Sequence, residues 1–537
     1  MSTRSDNCAP LLCGLVLVHA LVALVFATQG RPNIDEGMFV WAGSLVAEGW
    51  LPYRDFPFAQ APMLAFAYAP APVWFGSALL GGRLLAVAAG TAGAAGALWL
   101  ARRLAGDFAA VVALLVGLAT LPALWVGATA RAQSIATPLL VLGVASLALR
   151  RDTVWRWSAA PSLLLWASSV RLTNLGVFAL VSLWVAWRLR RAPARQAAVA
   201  AIVAVQGAVA ALPVLLAPER AWFQVVTAQL SRDTRFGYVA QQLPLAGLLR
   251  AYLDLLGDAA ALLLLALGSA AIAIARARRG WRPALATPLQ DRETAPVALA
   301  ALGAVAFAPH LALGNAFLEY LIPLWALLAP AVGIALAAEF ARRGIGSAPR
   351  RATALALLAF ACANFAFHRD VWIGSGDASF ASFRRVSAEL GRLGGPGCTM
   401  LTLETELAVE AGCRVFPGLE YSYFAYFADL PTREAGRYGV ANLAILRQRI
   451  ARLAPGLIAL APAQAHLLLG PRRSAAPGHP GTYLPGSVDP LQFLGPLARH
   501  YTLYGNPVIP SGIRRPGERD AAELRVYKRV GAMSGRR

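Results

Sequence analysis

Three carboxylates near the amino terminus have the chemistry of a proton acceptor. Asp35 and Glu36 follow Asn33, and Asp55 closes the turn at residues 51–55. A carboxylate within hydrogen-bond reach of a hydroxyl or amine can act as a general base, and two carboxylates on one surface can share a divalent cation. Alternatively, Asp35 and Glu36 only complement the dipole of a helix capped by Asn33, an effect worth about 0.3–1 kcal/mol each. Composition alone favours this alternative.

A second set of side chains is suited to an anion. It consists of Arg131, Arg171, His310 and, as a weaker candidate, Arg54. The planar guanidinium fork binds phosphate oxygens in pairs, so an arginine at a membrane surface suits a lipid phosphate. The alternatives are an arginine that snorkels or pairs with a nearby carboxylate, and a histidine that is structural.

A third set could contact an acceptor. Glu319 and Tyr320 form a turn before a late apolar run, and Glu420 lies in the aromatic segment 417–427. Aromatic rings beside a carboxylate suit a sugar or acceptor platform, whereas the alternative is a core or membrane-facing aromatic belt.

The elements that must position these residues are membrane helices. The 537 residues are 58% hydrophobic and 14% charged, with a mean hydropathy of +0.55 and a net charge of +21. Arginine pairs such as Arg102-Arg103 and Arg342-Arg343 lie between apolar runs of near-membrane length. A nucleic-acid site would gather such charge on one face with aromatics between. Separated clusters instead mark the cytoplasmic ends of transmembrane helices.

Threading these clusters through a bilayer predicts about 11 transmembrane helices, with the first an uncleaved anchor. The predicted spans are residues 10–28, 84–101, 107–127, 132–149, 158–170, 172–188, 196–217, 257–276, 295–313, 317–338 and 352–367. Residues 62–80 are also apolar, but Pro62, Pro70 and Pro72 weaken a simple span, so we expect a re-entrant or interfacial segment there, with full crossing as the alternative. Residues 244–256 pose a similar ambiguity.

The predicted architecture is an all-α polytopic membrane protein with a C-terminal extracytoplasmic α/β domain. The membrane domain covers residues 1–367, and its first outside loop, 29–62, should carry an amphipathic helix over 35–48 that lies on the membrane. Residues 368–537 are mixed in composition, which is typical of a soluble domain with its own core. Cys398 and Cys413 share this domain and could form a disulfide.

The stretch Asn33-Ile-Asp-Glu-Gly, followed by Pro52-Tyr-Arg-Asp-Phe and Ala61-Pro62, resembles the GT-C glycosyltransferases. These multispanning enzymes use polyprenyl-phosphate-linked sugars, and the resemblance is to the family 39 and 83 branches, which contain protein O-mannosyltransferases and lipid A aminoarabinose transferases. The turn Glu319-Tyr320-Leu-Ile-Pro323 is similar to a late element of the family. The resemblance covers residues 10–367 as architecture and about 40 residues as motifs.

The resemblance implies an inverting transfer of a hexosyl or pentosyl group from a polyprenyl phosphate, at the outer face of a bacterial inner membrane. Asp35 would be the general base, while Glu36 or Asp55 would orient the acceptor. The arginines and His310 would stabilise the leaving phosphate. Asp35 and Asp55 would be the ligands if Mg or Mn takes part; no other cofactor is implied, and the chain has no phosphate-binding glycine-rich loop.

The chain departs from the family pattern at two places. Family members commonly have paired prolines where this chain has Ala61-Pro62, with a Lys or Glu where it has Gln60, and many carry an acidic residue within the segment Arg131-Ala-Gln133-Ser134. These departures leave the phosphate ligands and a second acidic group open.

Three other classes stay possible on sequence alone. A transporter or flippase would show internal repeats or interrupted helices with midplane charges, and we see no convincing repeat. A lipid-linked polysaccharide polymerase or ligase would concentrate its polar residues in a late outside loop, whereas here the early loop is richer. The third class is a non-catalytic scaffold.

Overall fold

The protein is described by a computed structural model. It describes residues 9–75, 77–149, 152–230, 246–247, 289, 291–312, 317–374, 376, 379–428, 430–469, 490–510 and 521–530. The chain divides into two compact units. The helical unit comprises Met1–Ala27, Leu84–Ala210 and Leu243–Trp372, and the mixed unit comprises Thr28–Arg83, Ala211–Gln242 and Ile373–Arg537. The first predicted outside loop therefore belongs to the same compact unit as the C-terminal region.

Fourteen helices cover the chain up to Ala312 in the described ranges. They are α1 Ala9–Gln29, α2 Ile34–Ala47, α3 Met63–Tyr68, α4 Pro70–Phe75, α5 Ala78–Ala105, α6 Asp107–Leu118, α7 Leu121–Ala128, α8 Ala132–Ser146, α9 Val154–Val170, α10 Leu175–Arg188, α11 Pro193–Leu216, α12 Pro218–Trp222, α13 Ala228–Leu230 and α14 Ala295–Ala312. A π-helical turn, Phe223–Thr227, joins α12 to α13. Two further long helices, α15 Ile322–Arg342 and α16 Ser347–Ile373, complete the apolar part of the chain.

Helices stand at ten of the 11 predicted spans. Among the described residues, five helices are long and apolar enough to cross a membrane, or six if α6 and α7 form one bent span. That pair replaces the predicted straight span 107–127 and bends by 80°. Pro122 explains the break, because its ring cannot follow a continuous helix. The span predicted at 257–276 and most of the stretch 244–256 lie outside the described residues.

Residues 62–80 form two short helices and the start of a third. α3 and α4 have six residues each, and α5 begins at Ala78. A helix needs about 20 apolar residues to cross a bilayer, so neither short helix can cross alone. The segment has the broken form that its three prolines predicted.

The mixed unit contains a five-stranded sheet of order β2-β1-β3-β7-β4. The described part of this unit has seven strands, which are β1 Thr399–Thr402, β2 Arg414–Val415, β3 Leu457–Leu460, β4 Tyr501–Gly505, β5 Val508–Pro510, β6 Ala521–Glu523 and β7 Arg525–Arg529. β5 and β6 form a separate two-stranded sheet. β2, β1 and β3 are parallel, whereas β7 is antiparallel to both β3 and β4. The C-terminal helices are α17 Phe380–Gly394, α18 Thr405–Glu410, α19 Thr432–Tyr438, α20 Leu443–Leu453 and α21 Pro462–Leu469.

The disulfide that the sequence permitted is present. Cys398 and Cys413 are bonded, with their Cα atoms 4.8 Å apart. Cys398 precedes β1 and Cys413 precedes β2, and these two strands pair in parallel. The bond therefore pins the edge of the sheet at the end of the loop that carries α18.

The helix predicted over 35–48 forms, but it does not lie on a surface. α2 is buried almost all round, including Glu36, Phe39 and Trp41. Two glycines explain this: a methyl group built at Gly37 would overlap the backbone of Glu406, and one at Gly43 would lie 2.6 Å from the carbonyl carbon of Tyr68. The prediction of an amphipathic surface helix was wrong, because α18 and α3 both pack against α2.

Candidate active site

The amino terminus of α2 presents Asp35. The side chain of Asn33 accepts a hydrogen bond from the Asp35 backbone N–H at 3.0 Å, and the Glu36 carboxylate accepts one from the Asn33 backbone N–H at 2.9 Å. This reciprocal cap satisfies two backbone donors at the helix start. The sequence predicted the Asn33 cap but not the bond to Glu36. The Asp35 side chain is half-buried at this end of the helix, where the helix dipole favours its charged form.

Glu36 has a different environment, because it pairs with Arg83. Arg83 donates from Nε to Glu36 Oε2 and from its Nη2 to Oε1, both at 2.8 Å, and neither side chain is exposed. Arg83 also donates to the carbonyl oxygens of Gly30 and Arg31, at 2.9 and 3.1 Å. The arginine thus ties the start of α5 to the chain that leads into α2, and neutralises Glu36.

Arg83 is a residue that sequence reasoning missed. It lies just ahead of the predicted span 84–101, at the end opposite Arg102-Arg103. Positive charge is depleted on the outer side of short loops, so an arginine at that end of a span is a signal that could have drawn attention to it. Its partner could not be inferred, since 47 residues separate Arg83 from Glu36.

Asp55 forms an exposed pair with its neighbour. Arg54 donates from Nε and Nη2 to the two carboxylate oxygens, at 2.9 and 2.8 Å, and the Leu51 backbone N–H donates to Asp55 Oδ2 at 2.8 Å. The hydrogen bonds from Arg54 lower the pKa of Asp55. Arg54 and Asp55 lie in the mixed unit, whereas the other predicted phosphate ligands lie in the helical unit.

Asp55 does not fit the role of a cation ligand, which the sequence left open for Asp35 and Asp55. Both of its carboxylate oxygens already accept hydrogen bonds from Arg54 and Leu51. Across the described ranges, no group of three or more His, Cys, Asp or Glu side chains could hold a metal ion. We therefore derive no step through a cation.

A buried glutamate, Glu406, lies against α2. Glu406, in α18, is 4% exposed, and its backbone packs against Gly37. Burial raises the pKa of Glu406 well above its usual value, and the neighbouring Glu404 raises it further. Glu404 itself accepts a hydrogen bond from Gln464 at 2.5 Å. Burial and Glu404 thus both favour the protonated form of Glu406, a feature that sequence reasoning also missed.

Glu420 forms a hydrogen bond within its own loop. Its carboxylate accepts a hydrogen bond from the Gly418 backbone N–H at 2.7 Å. Burial raises the pKa of Glu420. These contacts fix the turn before the aromatic segment, and the acceptor-binding role predicted for Glu420 stays a prediction.

The helical unit brings together most of the predicted anion ligands. We call this set the arginine cluster; it consists of Arg131, Gln133, Arg171, His310, Glu319 and Tyr320. Arg131 begins α8, lies 5.0 Å from the centre of the Trp125 ring, and has Nη1 3.5 Å from Glu319 Oε2. With its amide oriented to satisfy its neighbours, Gln133 accepts hydrogen bonds from Nη1 and Nη2 of Arg171 at 2.9 and 3.3 Å.

Tyr320 contacts both His310 and Arg171 in this cluster. Its ring stacks on His310 with centroids 3.9 Å apart, and the Arg171 guanidinium carbon lies 5.3 Å from the same ring. Within the described residues, neither ring nitrogen of His310 has a hydrogen-bond partner, although the side chain is 1% exposed. Buried polar atoms of this kind are typical of a site that awaits a ligand or ordered water.

An apolar cavity of about 150 Å³ adjoins the cluster. It lies among α1, α5, α6, α7, α8 and α15, and small residues of α5 such as Gly90, Gly93 and Ala94 line it. Gln133 lines this cavity and also binds Arg171. A cationic, hydrogen-bonding site is therefore continuous with an apolar space, which suits an amphiphilic anion.

Solved structures share this arrangement of elements. ArnT from Cupriavidus metallidurans in the apo state is 15% identical to this chain, with a TM-score of 0.58 over 99% of this chain and 100% of ArnT. The same protein bound to undecaprenyl phosphate gives a TM-score of 0.55 over the same coverage. The chain has the fold of ArnT. The expected fold class is confirmed in its coarser form, a mostly helical fold with several apolar helices and a small C-terminal sheet, while the number of membrane spans and the outside placement of the sheet stay predictions.

A weaker likeness is to the archaeal oligosaccharyltransferase AglB from Archaeoglobus fulgidus, crystallised with an inhibitory peptide and a dolichol phosphate. AglB is 12% identical, with a TM-score of 0.45 over 85% of this chain and 70% of AglB. No protein-family model and no curated protein matches the sequence. At this identity the likeness to ArnT establishes the fold, and the function must be argued from the residues.

Proposed function

We propose that the protein is an integral membrane glycosyltransferase. It transfers a sugar, hexosyl or pentosyl, from a polyprenyl-phosphate donor to an acceptor outside the cytoplasm, with inversion at the anomeric carbon. In this proposal the protein lies in a bacterial inner membrane, with the C-terminal domain 368–537 outside. The observation that carries the proposal is the shared position of Gln133, which lines the apolar cavity and binds Arg171.

The donor is assigned to the helical unit on chemical grounds. A polyprenyl phosphate has an apolar chain and an anionic head, and the cavity and the arginine cluster offer a partner for each. Guanidinium groups bind phosphate oxygens bidentately and stay charged. ArnT, which has a similar fold, has been crystallised with undecaprenyl phosphate. Glu319 and Tyr320 contact Arg131 and Arg171, so we assign them the task of orienting those guanidinium groups.

The proton acceptor is assigned to Asp35. Glu36 is neutralised by a buried arginine, and Asp55 is held by Arg54. Asp35 is half-buried at a helix amino terminus, which keeps a carboxylate charged. Glu36 then acts as a positioning residue, because its pair with Arg83 fixes the backbone that precedes Asp35.

The chemistry follows from these assignments. An acceptor hydroxyl or amine attacks the anomeric carbon from the face opposite the phosphate, and its proton passes to Asp35. The new bond to the anomeric carbon forms as the bond to the phosphate oxygen breaks. That oxygen keeps the bonding electrons, and Arg131 and Arg171 stabilise the charge that develops on it.

The test measures donor-lipid binding by the protein in lipid nanodiscs. Undecaprenyl phosphate should bind the unaltered protein, and Arg171→Met should weaken binding at least tenfold, since a charged hydrogen bond contributes about 1.5–3 kcal/mol. Arg342→Gln is the control, because Arg342 makes an exposed pair with Glu339. Equal binding by Arg171→Met and the control would contradict the assignment of the donor site.

A further inference from the structure

A polar cavity of about 410 Å³ lies in the mixed unit, apart from Asp35. It is formed by the end of α2, the start of α5, α17, and the turn between α18 and β2. Asp35 and Glu48 lie at opposite ends of α2, 13 residues apart, which corresponds to about 20 Å at 1.5 Å per residue. A cavity of this size falls within the range of small-molecule sites, about 300–1,000 Å³.

One wall carries an exposed ion pair. Arg414 donates two hydrogen bonds to Glu48, at 3.2 and 3.0 Å, and its guanidinium lies 5.7 Å from the centre of the Trp41 ring. The two charged side chains are 50% and 41% exposed. Such pairs contribute little to stability, so a ligand that offers equivalent hydrogen bonds can replace them at small cost.

The facing wall carries a buried carboxylate. Glu410 is 7% exposed, and it accepts hydrogen bonds from Arg384 Nε at 2.8 Å and from the Ser77 hydroxyl at 3.1 Å. A carboxylate can accept more than two hydrogen bonds. Glu410 is therefore held in place by two hydrogen bonds and can accept a further one from a donor in the cavity.

The wall that holds Arg414 is rigid. Cys413 lines the cavity and is bonded to Cys398, and Gly412 has a φ of +70° that favours glycine. Arg414 is the first residue of β2, paired with β1. The site is thus shaped before a ligand arrives, which lowers the entropic cost of binding. Sequence reasoning found the disulfide but not this consequence of it.

The charges of the cavity select a class of ligand. It contains two guanidinium groups and two carboxylates. An anionic ligand would be repelled by Glu48 and Glu410, and a cationic ligand would be repelled by Arg384 and Arg414. A hydroxyl group both donates and accepts, so neighbouring hydroxyls can bond to a carboxylate and a guanidinium together. We propose that this cavity binds a neutral saccharide unit of a glycan acceptor.

This inference rests on the proposed function. If the protein transfers a sugar, a saccharide site in this cavity means that the acceptor is a glycan. The unit bound in the cavity lies several sugar residues from the end of α2 where Asp35 would act. The acceptor is thereby an oligosaccharide, carried on a lipid or free, rather than a single sugar.

The experiment measures saccharide binding, which needs no transfer step. The probes are neutral tetrasaccharides of hexoses and N-acetylhexosamines, free and lipid-linked, with a sialylated and an amino-sugar oligosaccharide for comparison, titrated into the protein in nanodiscs. Neutral probes should bind the unaltered protein and Asp35→Asn alike, and Arg414→Gln and Arg384→Gln should each weaken binding at least tenfold. Arg437→Gln is the matched control, an exposed arginine of the same unit that pairs with Glu219.

The outcomes separate the two proposals. Binding that depends on Arg414, whether the glycan is free or lipid-linked, supports the site even if no sugar is transferred. No binding of any neutral probe, a preference for the charged probes, or equal binding by Arg414→Gln and Arg437→Gln would overturn it. Equal melting temperatures of the variants show that they are folded.

Discussion

Arg83 and Glu36 form a doubly hydrogen-bonded ion pair, and both side chains are completely buried. Arg83 lies in the first turns of α5, and Glu36 lies in the first turn of α2. The pair joins two helix starts that are far apart in sequence. Asp35, the neighbour of Glu36, is half-buried at the same end of α2.

Arg83→Met should destabilise the mixed unit strongly. The change leaves Glu36 buried without its cation, a loss of about 3–5 kcal/mol for pairs of this kind. The measurement is thermal unfolding in detergent. Arg54→Gln removes an exposed arginine from the same unit and should change the melting temperature little.

The double variant Arg83→Met with Glu36→Gln should recover most of the loss. It removes both charges, and the glutamine oxygen can still accept the bond from the Asn33 N–H. If Arg83→Met alone melts like the unaltered protein, the pair does not hold the start of α2 in place.

Gly37→Ala should also destabilise the protein. A methyl group at this position overlaps the backbone nitrogen of Glu406, and the backbone cannot yield as a flexible side chain does. Overpacking of this kind costs about 1–3 kcal/mol or more. Gly436→Ala, in α19, has open space around the new methyl group and should be neutral or stabilising. Equal melting temperatures for the two variants would show that α2 and α18 are not in close contact.

Glu406→Gln should stabilise the protein at neutral pH but not in acid. The folded pKa of Glu406 is raised above the ordinary 4.5. Its contribution to stability is therefore fully present below 4.5 and is lost as the pH rises through the folded value, because only the unfolded state ionises readily. Glutamine does not titrate, so the gain in melting temperature over the unaltered protein should be smallest in acid, below the ordinary pKa of 4.5, and should grow as the pH rises above it.

The matched control for that series is Glu389→Gln, which changes an exposed glutamate of α17. Its melting temperature should follow that of the unaltered protein across the range. A difference for Glu406→Gln that is constant with pH would mean that this carboxyl is not held neutral.

Local sequence patterns predicted much of the fold. Hydrophobic runs between arginine pairs located most of the helices, and Asn33 predicted the capped start of α2. Cys398 and Cys413 form the disulfide that their common domain made possible. Each of these features depends on composition or on residues that are close in the sequence, and both can be read from one sequence.

The surroundings of the site depend on contacts that no local pattern encodes. Periodicity over residues 35–48 indicated a helix but not that other helices pack closely against it at Gly37 and Gly43. Glu36 looked like a catalytic candidate until Arg83, 47 residues later, neutralised it. The predicted ligands Arg131, Arg171 and His310 did come together, but their link through Gln133 and Tyr320 is tertiary.

The most direct test of the account is sugar transfer by Asp35→Asn. Membranes from the expressing cells, with their native envelope acceptors, are supplied with radiolabelled polyprenyl-phosphate hexoses and pentoses, and labelled product is measured against the unaltered protein and Asp55→Asn. A general base contributes about 10²–10⁴-fold, so Asp35→Asn should lose at least a hundredfold in rate while it binds donor lipid normally, and Asp55→Asn should lose less. Transfer by Asp35→Asn at the rate of the unaltered protein would contradict the assigned base, and no transfer by the unaltered protein from any of these donors would contradict the glycosyltransferase itself.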